Sequence, residues 1–191
     1  MTEEQEQNKD KDWVKKEIFS WIKTIVVAFV IAFFVNHYLI VNATVPTGSM
    51  EPTIMPKDRI MANRWSYFRK SPQRGDVVVF PYPDQPDILY VKRVIGLPGE
   101  TIIIQDGKVY INDSEFPLSE SYLNEKPRGD FGPYEIPDGF YFMLGDNRNN
   151  SKDSRYWNHP FVEEKDIIGK VFLKYFPKFR WMGQKVQYTS Y

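Results

Sequence analysis

One long apolar run lies near the start of the chain, and a strand-like pattern follows it. Residues 25–41 are apolar apart from an interruption at residues 36–38, and the run extends back to residue 18 if Lys23 is included. A helix that crosses a bilayer needs about 17–25 such residues. No polar face recurs at helical spacing, so the pattern predicts a membrane-spanning helix over residues 18–41.

Two other interpretations of the run are a buried helix of a soluble protein and a cleavable signal peptide. Only a weak small-residue cleavage site follows, at residues 42–44, which favours an uncleaved anchor. Lysines precede the run, and the next basic residue after it is Lys57, so the positive-inside rule places the N-terminus in the cytoplasm. We therefore expect a single-pass protein of the cell membrane: a cytoplasmic tail (1–17), a signal anchor (18–41) and an extracytoplasmic domain (42–191).

Beyond the anchor, short runs of β-branched and aromatic residues alternate with glycine- and proline-rich turns. The pattern predicts strands at residues 77–80, 88–96, 102–105, 108–112, 140–144 and 167–176, with Pro81 ending the first, and a helical turn at residues 163–166. Asp106-Gly107 is a strong signal for a two-residue hairpin turn. Fourteen prolines and many short strands indicate an all-β barrel or sandwich.

Composition narrows the chemistry. The chain has 25 Lys+Arg and 25 Asp+Glu, and a net charge of zero argues against binding to nucleic acid. Cysteine is absent, which excludes disulfides, thiol catalysis and cysteine-based metal sites. The two histidines are His37, inside the apolar run, and His159, before a proline, so a histidine triad or zinc site is poorly supplied. We expect neither a metal nor another cofactor.

Ser49 is a candidate nucleophile a few residues after the anchor. Gly48 and Met50 flank it, and Pro46 and Pro52 stiffen the segment, which favours a rigid loop rather than a helix. A serine hydroxyl held in such a loop becomes a nucleophile if a nearby base takes its proton. With histidine scarce, that base has to be another residue type.

Lys92 is the candidate base. The two-residue period of a strand places Tyr90, Lys92 and Val94 on one face and Val91, Arg93 and Ile95 on the other. Arginine keeps its charge, whereas a desolvated lysine loses several pKa units and becomes a base near neutral pH. The alternative is that both cations are ordinary charges at a strand edge.

A polar run over residues 145–155 follows the strand at residues 140–144. It is either a solvated loop or a network of polar groups that braces a site. Two ion pairs are possible within it, Asp146–Arg148 and Asp153–Arg155. Ser151 is positioned in sequence to hydrogen-bond an uncharged lysine amine and orient it.

Four blocks together resemble the type I signal peptidase family, which are serine–lysine proteases: residues 46–53, 74–80, 90–100 and 145–155. The strings YVKRVIGLPG and GDNRNNSKDSR are long and specific, and with the anchor the resemblance covers essentially the whole chain. It implies a mainly β fold: one transmembrane helix, then an antiparallel β barrel-like catalytic domain with a small inserted β lobe at about residues 101–140.

The resemblance also implies roles for individual residues. Ser49 would be the nucleophile and Lys92 the general base, and the Ser49 N–H and the Thr47 hydroxyl would form the oxyanion hole. Supporting and substrate-binding roles fall on a further set: Ser151, Asp153, Arg155, Asp146 and Arg93 for support, Met50 and Tyr90 for substrate.

The implied substrates are exported preproteins, cut after Ala-X-Ala type sites at the end of the signal peptide. The other expected partner is the lipid bilayer, touched by an apolar surface of Met50, Trp65, Tyr67, Phe68 and Trp181. A self-cleaving repressor shares the chemistry but needs a DNA-binding module where this chain has an anchor. A non-catalytic, membrane-tethered β domain is the remaining alternative, and it predicts that Ser49 and Lys92 are dispensable.

Overall fold

The computed structural model describes residues 3–183 and residue 188. It divides into two compact units, Met1–Ile40 and Val41–Tyr191. Strands of the second unit are arranged in antiparallel sheets, and the first unit is helical. The fold is therefore mainly β with one N-terminal apolar helix, as predicted.

The first unit consists of helix α1 (Glu3–Phe34), which continues as a wider π-helical turn (Val35–Leu39). The segment Lys15–Leu39 has a mean hydropathy of 2.4 and is long and apolar enough to cross a membrane. The predicted span ended at residue 41, which is too late. Ile40 already belongs to the first strand of the sheet, which pairs with a neighbouring strand instead of extending the helix.

The main sheet has eight strands. They are β1 (Ile40–Thr44), β2 (Arg59–Asn63), β3 (Val77–Tyr82), β4 (Gln85–Gly96), and, later in the chain, β8 (Phe140–Leu144), β9 (Phe161–Glu163), β10 (Gly169–Phe176) and β11 (Arg180–Trp181). Their spatial order is β1-β2-β10-β3-β4-β8-β9, with β11 paired to β10. Short 3₁₀ turns lie at Arg64–Tyr67, Arg148–Asn150 and Glu164–Asp166.

A smaller sheet lies between β4 and β8 in the chain. It contains β5 (Thr101–Gln105), β6 (Lys108–Ile111) and β7 (Phe131–Glu135), in the order β6-β5-β7. The predicted hairpin is confirmed, because Gln105 pairs with Lys108 across Asp106 and Gly107. Both turn residues have positive φ, 51° and 72°, as a primed two-residue turn requires.

Two strand boundaries differ from the sequence prediction. Pro81 does not end β3, since it pairs with Leu89 of β4. On the other side β3 pairs with β10 only through Val78 and Val79, so the missing N–H of Pro81 removes no bond from that ladder. Strand β7 was not among the predicted strands, because it forms by pairing with β5, which lies in a distant part of the chain.

Both faces of the sheet around β3 and β4 are covered. Val77 and Val79 pack into one apolar cluster and Val78 and Phe80 into another. The alternation in β4 therefore does not divide a buried face from a solvated one. Its consecutive cations at positions 92 and 93 are only 3% and 4% exposed. This double coverage provides the dry environment of the candidate site.

Candidate active site

The loop that carries Ser49 is fixed from below by apolar side chains. Met50 and Ile54 have no exposed surface, and the Ile54 N–H donates to the Met50 carbonyl at 2.9 Å. A turn closes between the Glu51 N–H and the Gly48 carbonyl at 3.1 Å. Ser49 itself is half-buried. Its hydroxyl thus sits on a short, anchored loop at the rim of the core.

Lys92 reaches Ser49 from strand β4. Its backbone lies opposite Val78 of β3, and its Nζ donates a hydrogen bond of 2.5 Å to Ser49 Oγ. Nζ also lies 5.3 Å from the centroid of the Tyr90 ring, a member of the set predicted to bind substrate. The two residues predicted as a dyad are therefore in direct contact although 43 positions separate them.

Burial lowers the pKa of Lys92 from 10.5 to about 8. The negative charges of Asp153 and Asp146 oppose this shift, and the positive charge of Arg155 reinforces it. Desolvation outweighs the nearby carboxylates because the amine is almost completely removed from water. A substantial fraction of Lys92 is then unprotonated in mildly alkaline solution, as a general base must be.

The start of the polar run holds the serine loop in place. The Asn147 N–H donates to the Ser49 carbonyl at 3.0 Å, and Asn147 Nδ2 donates to the Gly48 carbonyl at 3.0 Å. Gly145 permits this close approach. A Cβ at position 145 would lie 2.4 Å from the Ser49 carbonyl oxygen and 2.2 Å from Ser151 Oγ, so no larger residue fits without displacing them.

Two buried ion pairs brace the same segment. Arg155 bonds both oxygens of Asp153, at 2.8 and 2.9 Å, and Asp153 also accepts the Gly145 N–H at 3.0 Å. Arg93 bonds both oxygens of Asp146, at 2.8 and 2.6 Å. All four of these charged side chains are nearly inaccessible. The polar run is therefore a bracing network rather than a solvated loop.

Three details of the sequence prediction are wrong. Asp153–Arg155 pairs as predicted, but Asp146 pairs with Arg93 rather than Arg148, because Arg148 begins a 3₁₀ turn and reaches Glu120 instead.

The other two concern Ser151 and Met50. Ser151 Oγ is buried and has no hydrogen-bond partner in the described part of the chain, so it does not bond the Lys92 amine, which donates to Ser49. Met50 does not line a groove, because its side chain points into the core and anchors the loop that carries Ser49.

A cleft of about 510 Å³ opens at the Ser49 hydroxyl. Its walls include residues 43–49, which run from β1 into the serine loop, and residues 88–92 of β4, together with Asn150 and Lys152. Tyr90 lines the cleft and stacks on Tyr82 at 4.6 Å between ring centroids. Residues 89–91 of β4 pair with β3 but lie beyond the part of the strand that pairs with β8. An extended peptide therefore has room beside this strand.

Thr47 is exposed and lines the cleft together with Ser49. Within the described residues, neither the Thr47 hydroxyl nor the Ser49 N–H donates a hydrogen bond to another group. The two residues predicted to form an oxyanion hole therefore line the same cleft. In the same range of residues, no group of three or more histidine or acidic side chains is arranged to hold a metal ion.

Sequence reasoning missed several residues of the network. Thr53 donates to Asp146 at 2.5 Å, and Asn147 holds two carbonyls of the serine loop. Both lie in segments that had been singled out, so their polar character was a usable signal. Glu120, which pairs with Arg148, lies in an irregular stretch that gave no signal of its own.

Comparison with known proteins gives a consistent assignment. The family described as "Signal peptidase, peptidase S26" matches residues 18–176. "Probable signal peptidase I-2" of Synechocystis sp. is 37% identical over 160 residues, which cover 81% of this chain and 72% of that protein. "Signal peptidase I" of Bacillus licheniformis is 36% identical over 187 residues, covering 93% and 96%.

Among solved structures, a signal peptidase I from Enterococcus faecalis V583 is 39% identical. The match covers 53% of this chain and 97% of that one, with a TM-score of 0.46. The family match and the curated relatives extend over most of the sequence. The chain therefore belongs to the signal peptidase family, peptidase S26, and is a serine peptidase, an enzyme of the hydrolase class.

Proposed function

We propose that this chain removes N-terminal signal peptides from exported preproteins through an acyl-enzyme mechanism, with Ser49 as nucleophile and Lys92 as general base. One observation carries the proposal: the buried Lys92 amine donates a 2.5 Å hydrogen bond to the Ser49 hydroxyl, which lines the cleft. In the described part of the chain Lys92 has no carboxylate in ion-pair contact that would hold its proton. A nucleophile and base within hydrogen-bond reach are what acyl transfer requires.

The reaction begins when the neutral Lys92 amine takes the proton of Ser49 Oγ and the oxygen attacks the scissile carbonyl carbon. The resulting oxyanion lies between the Ser49 N–H and the Thr47 hydroxyl, and losing one such donor costs roughly 2.7–4 kcal/mol of barrier. The carbon–nitrogen bond then breaks, and the Lys92 ammonium gives its proton to the departing amine. This leaves the signal peptide as an ester on Ser49 and releases the mature protein.

Deacylation repeats the proton transfers with water. Lys92, again neutral, takes a proton from a water molecule as the water oxygen attacks the ester carbonyl. When the intermediate collapses, the proton returns through Lys92 to Ser49 Oγ and the free enzyme is restored. The same amine therefore acts as base and acid in turn, and its lowered pKa suits both roles near neutral pH.

The cleft supports an extended peptide as substrate. Residues 43–49 and 88–92 both line the cleft, so a peptide laid in it beside β4 would use main-chain hydrogen bonds as an added strand does. Side chains on the walls are mostly apolar, including Ala43, Val79 and Val91. We propose small residues at the first and third positions before the cut, as in Ala-X-Ala, as the resemblance to the family implies.

The location of the chain follows the same proposal. The Lys15–Leu39 segment would span the membrane with the lysine-rich N-terminus in the cytoplasm, and residues 42–191 would lie on the outer face. Signal peptides emerge at that face still embedded in the bilayer. An anchored peptidase would then meet its substrate by diffusion in two dimensions.

A second contact with lipid is proposed for the loop that follows β2. Trp65 and Phe68 are 60% and 71% exposed, and their rings stack at 5.5 Å between centroids. Arg64, Arg69 and Lys70 are exposed beside them, and this combination suits an anionic bilayer surface.

Three other residues of the predicted apolar surface are left out of this proposed contact. Met50 is fully buried, and Tyr67 is half-buried with its hydroxyl donating to Asp76 at 2.9 Å. Trp181 is exposed on β11, where its ring packs edge-on against Phe172. The proposed lipid contact is therefore confined to Trp65, Phe68 and their basic neighbours.

The first prediction concerns the dyad. Ser49→Ala removes the nucleophile and Lys92→Met removes the base, so each should reduce cleavage of a purified preprotein with an Ala-X-Ala site to background. Ser71→Ala, an exposed serine outside the site, is the matched control and should cleave like wild type. Mass spectrometry of the products identifies the cut. Undiminished cleavage by either dyad variant would defeat the mechanism and favour a non-catalytic domain.

The second prediction is a pH profile of kcat/KM. Because the active form of Lys92 is neutral and its pKa is about 8, kcat/KM should rise with pH through about 8 and level off above it. The measurement uses a peptide substrate without titratable groups near the cut, followed from pH 6 to 10. An activity that falls as pH rises through this range would mean that a protonated lysine is required and contradict the assignment.

The third prediction concerns stability. The pKa of Lys92 is about 8 in the folded protein and 10.5 in the unfolded chain. Below about pH 8 the folded protein therefore has to keep a charged ammonium group buried, and this lowers its stability. The penalty is full below pH 8 and disappears as pH rises to 10.5. Lys92→Met should therefore raise the free energy of unfolding at pH 7 by roughly 2–3 kcal/mol, and the gain should vanish near pH 10.5.

Lys174 offers a matched control for that measurement, because it is also a buried lysine but forms an ion pair with Asp58 at 2.9 Å. Lys174→Met leaves a buried carboxylate unpaired and should lower stability at pH 7. Chemical denaturation of both variants and wild type across pH gives the comparison. A Lys92→Met variant that is less stable than wild type at pH 7 would show that the lysine is not strained by burial.

The fourth prediction concerns lipid contact. In vesicles that contain brominated anionic lipids, Trp65 emission should be quenched, so Trp65→Phe should remove a quenched component from the fluorescence of the full chain. Trp157, 6% exposed, is the control, and Trp157→Phe should remove only unquenched emission. If the emission lost with Trp65 is as unquenched as that lost with Trp157, this loop does not touch the bilayer.

A further inference from the structure

The stretch between β6 and β7 contains a short turn that faces the bracing network. The Leu123 N–H donates to the Glu120 carbonyl at 3.1 Å, which closes a turn over residues 120–123. Within this turn the Tyr122 hydroxyl donates to Glu120 Oε1 at 2.7 Å. The two side chains therefore point the same way, and both reach the polar run after β8.

Glu120 receives Arg148 as a two-pronged partner. One terminal nitrogen of Arg148 donates to Oε2 at 2.9 Å and the other to Oε1, and the second also donates to the Tyr122 hydroxyl at 3.3 Å. The two charged side chains are 2% and 7% exposed. In the described part of the chain Glu120 is the only carboxylate paired with Arg148. A buried guanidinium in this position depends on that one acid.

Arg148 also contacts Gly145, which lies against the backbone of Ser49. Its Nε donates to the Gly145 carbonyl at 3.0 Å, and its own carbonyl accepts Arg155 at 2.6 Å. Gly145 in turn lies against the Ser49 carbonyl so closely that a Cβ would not fit. A continuous line of contacts therefore joins Glu120 to the serine loop.

Tyr122 makes a parallel contact. Its ring lies 4.1 Å from the guanidinium carbon of Arg93, the residue that grips both oxygens of Asp146. The turn at residues 120–123 thus touches both Arg148, which bonds the Gly145 carbonyl, and Arg93, which bonds the Asp146 carboxylate. Each contact is to a planar guanidinium, through its edge for Glu120 and through its face for Tyr122.

We infer that Glu120 and Tyr122 are positioning residues that hold Gly145 and Asp146 in register, so that Ser49 stays aligned with Lys92. This rests on the proposed function, since it assigns them a task in the serine–lysine reaction. They touch no reacting atom and act only through Arg148 and Arg93. The small sheet is then part of the catalytic apparatus, because the turn that it carries completes the site.

The test compares two glutamates that each make a two-pronged ion pair. Glu120→Gln removes the charge that pairs with Arg148. Glu100→Gln removes the charge that pairs with Arg74, through contacts of 2.9 and 2.5 Å, and Arg74 bonds the Ile95 carbonyl of β4 rather than the polar run at residues 145–155. Both variants should lose stability, so a loss of stability alone does not separate the roles.

Two readouts do separate them. With a peptide substrate, Glu120→Gln should lower kcat by roughly 10- to 100-fold with little change in KM, because misplacement of a reacting group acts on the chemical step. Hydrogen–deuterium exchange of residues 145–150 should also become faster in Glu120→Gln. Glu100→Gln should keep the wild-type kcat and the wild-type exchange of that segment. Full-length protein in detergent micelles is used throughout.

The inference is overturned if residues 145–150 stay as protected in Glu120→Gln as in Glu100→Gln, or if the two variants have the same kcat. Hydrogen–deuterium exchange is measured without substrate, so it tests the positioning role independently of cleavage. If wild type does not cleave a preprotein, only the proposed function is defeated. Should Glu120→Gln fail to fold, the double variant Glu120→Gln, Arg148→Met removes the unpaired charge. It should fold with low kcat and fast exchange, and wild-type values would overturn the inference.

Discussion

The arrangement depends on keeping one amine dry. The proposed role of Lys92 as a base requires a dry environment, and Lys92 lies in a strand whose two faces are both covered, which leaves it 3% exposed. Burial of that kind disfavours the ammonium form, and it lowers the pKa to about 8. The hydrogen-bond partner of the amine is the uncharged hydroxyl of Ser49. A carboxylate partner would instead stabilise the ammonium form and raise the pKa. Water reaching this strand would restore an ordinary lysine.

The acids around the site pose a problem that the arginines solve. Asp153 and Asp146 both raise the pKa of Lys92, and unpaired they would oppose the desolvation on which the base depends. Each is instead held by a two-pronged guanidinium, Arg155 or Arg93. The carboxylates can then organise the backbone at the polar run while much of their field is compensated. Lysine would not substitute well here, because it lacks the planar fork and can lose its proton.

What the sequence could predict is what local chemistry determines. The Asp106-Gly107 hairpin was recoverable because a two-residue turn needs positive φ at both positions. The burial of Lys92 could be predicted because its neighbours in the strand are mostly apolar, and the scarcity of histidine directed attention to this lysine as the partner of Ser49. Ion-pair partners that are distant in the sequence could not be predicted in this way. Asp146 has an arginine two positions away, and yet it pairs with Arg93, which is 53 positions distant.

The same limit explains why sequence analysis assigned no role to residues of the small inserted lobe. The stretch that connects its strands is polar and irregular. The role of residues 120–123 depends on a contact between Glu120 and Arg148, which lies 28 positions later in the chain. A buried guanidinium is costly without a carboxylate, so this contact cannot be a passive accident of packing. Because Arg148 also bonds the Gly145 carbonyl, any displacement of the turn is transmitted to the backbone that abuts Ser49. An inserted segment that supplies a buried counter-charge is thereby tied to the rigidity of reacting groups that it never touches.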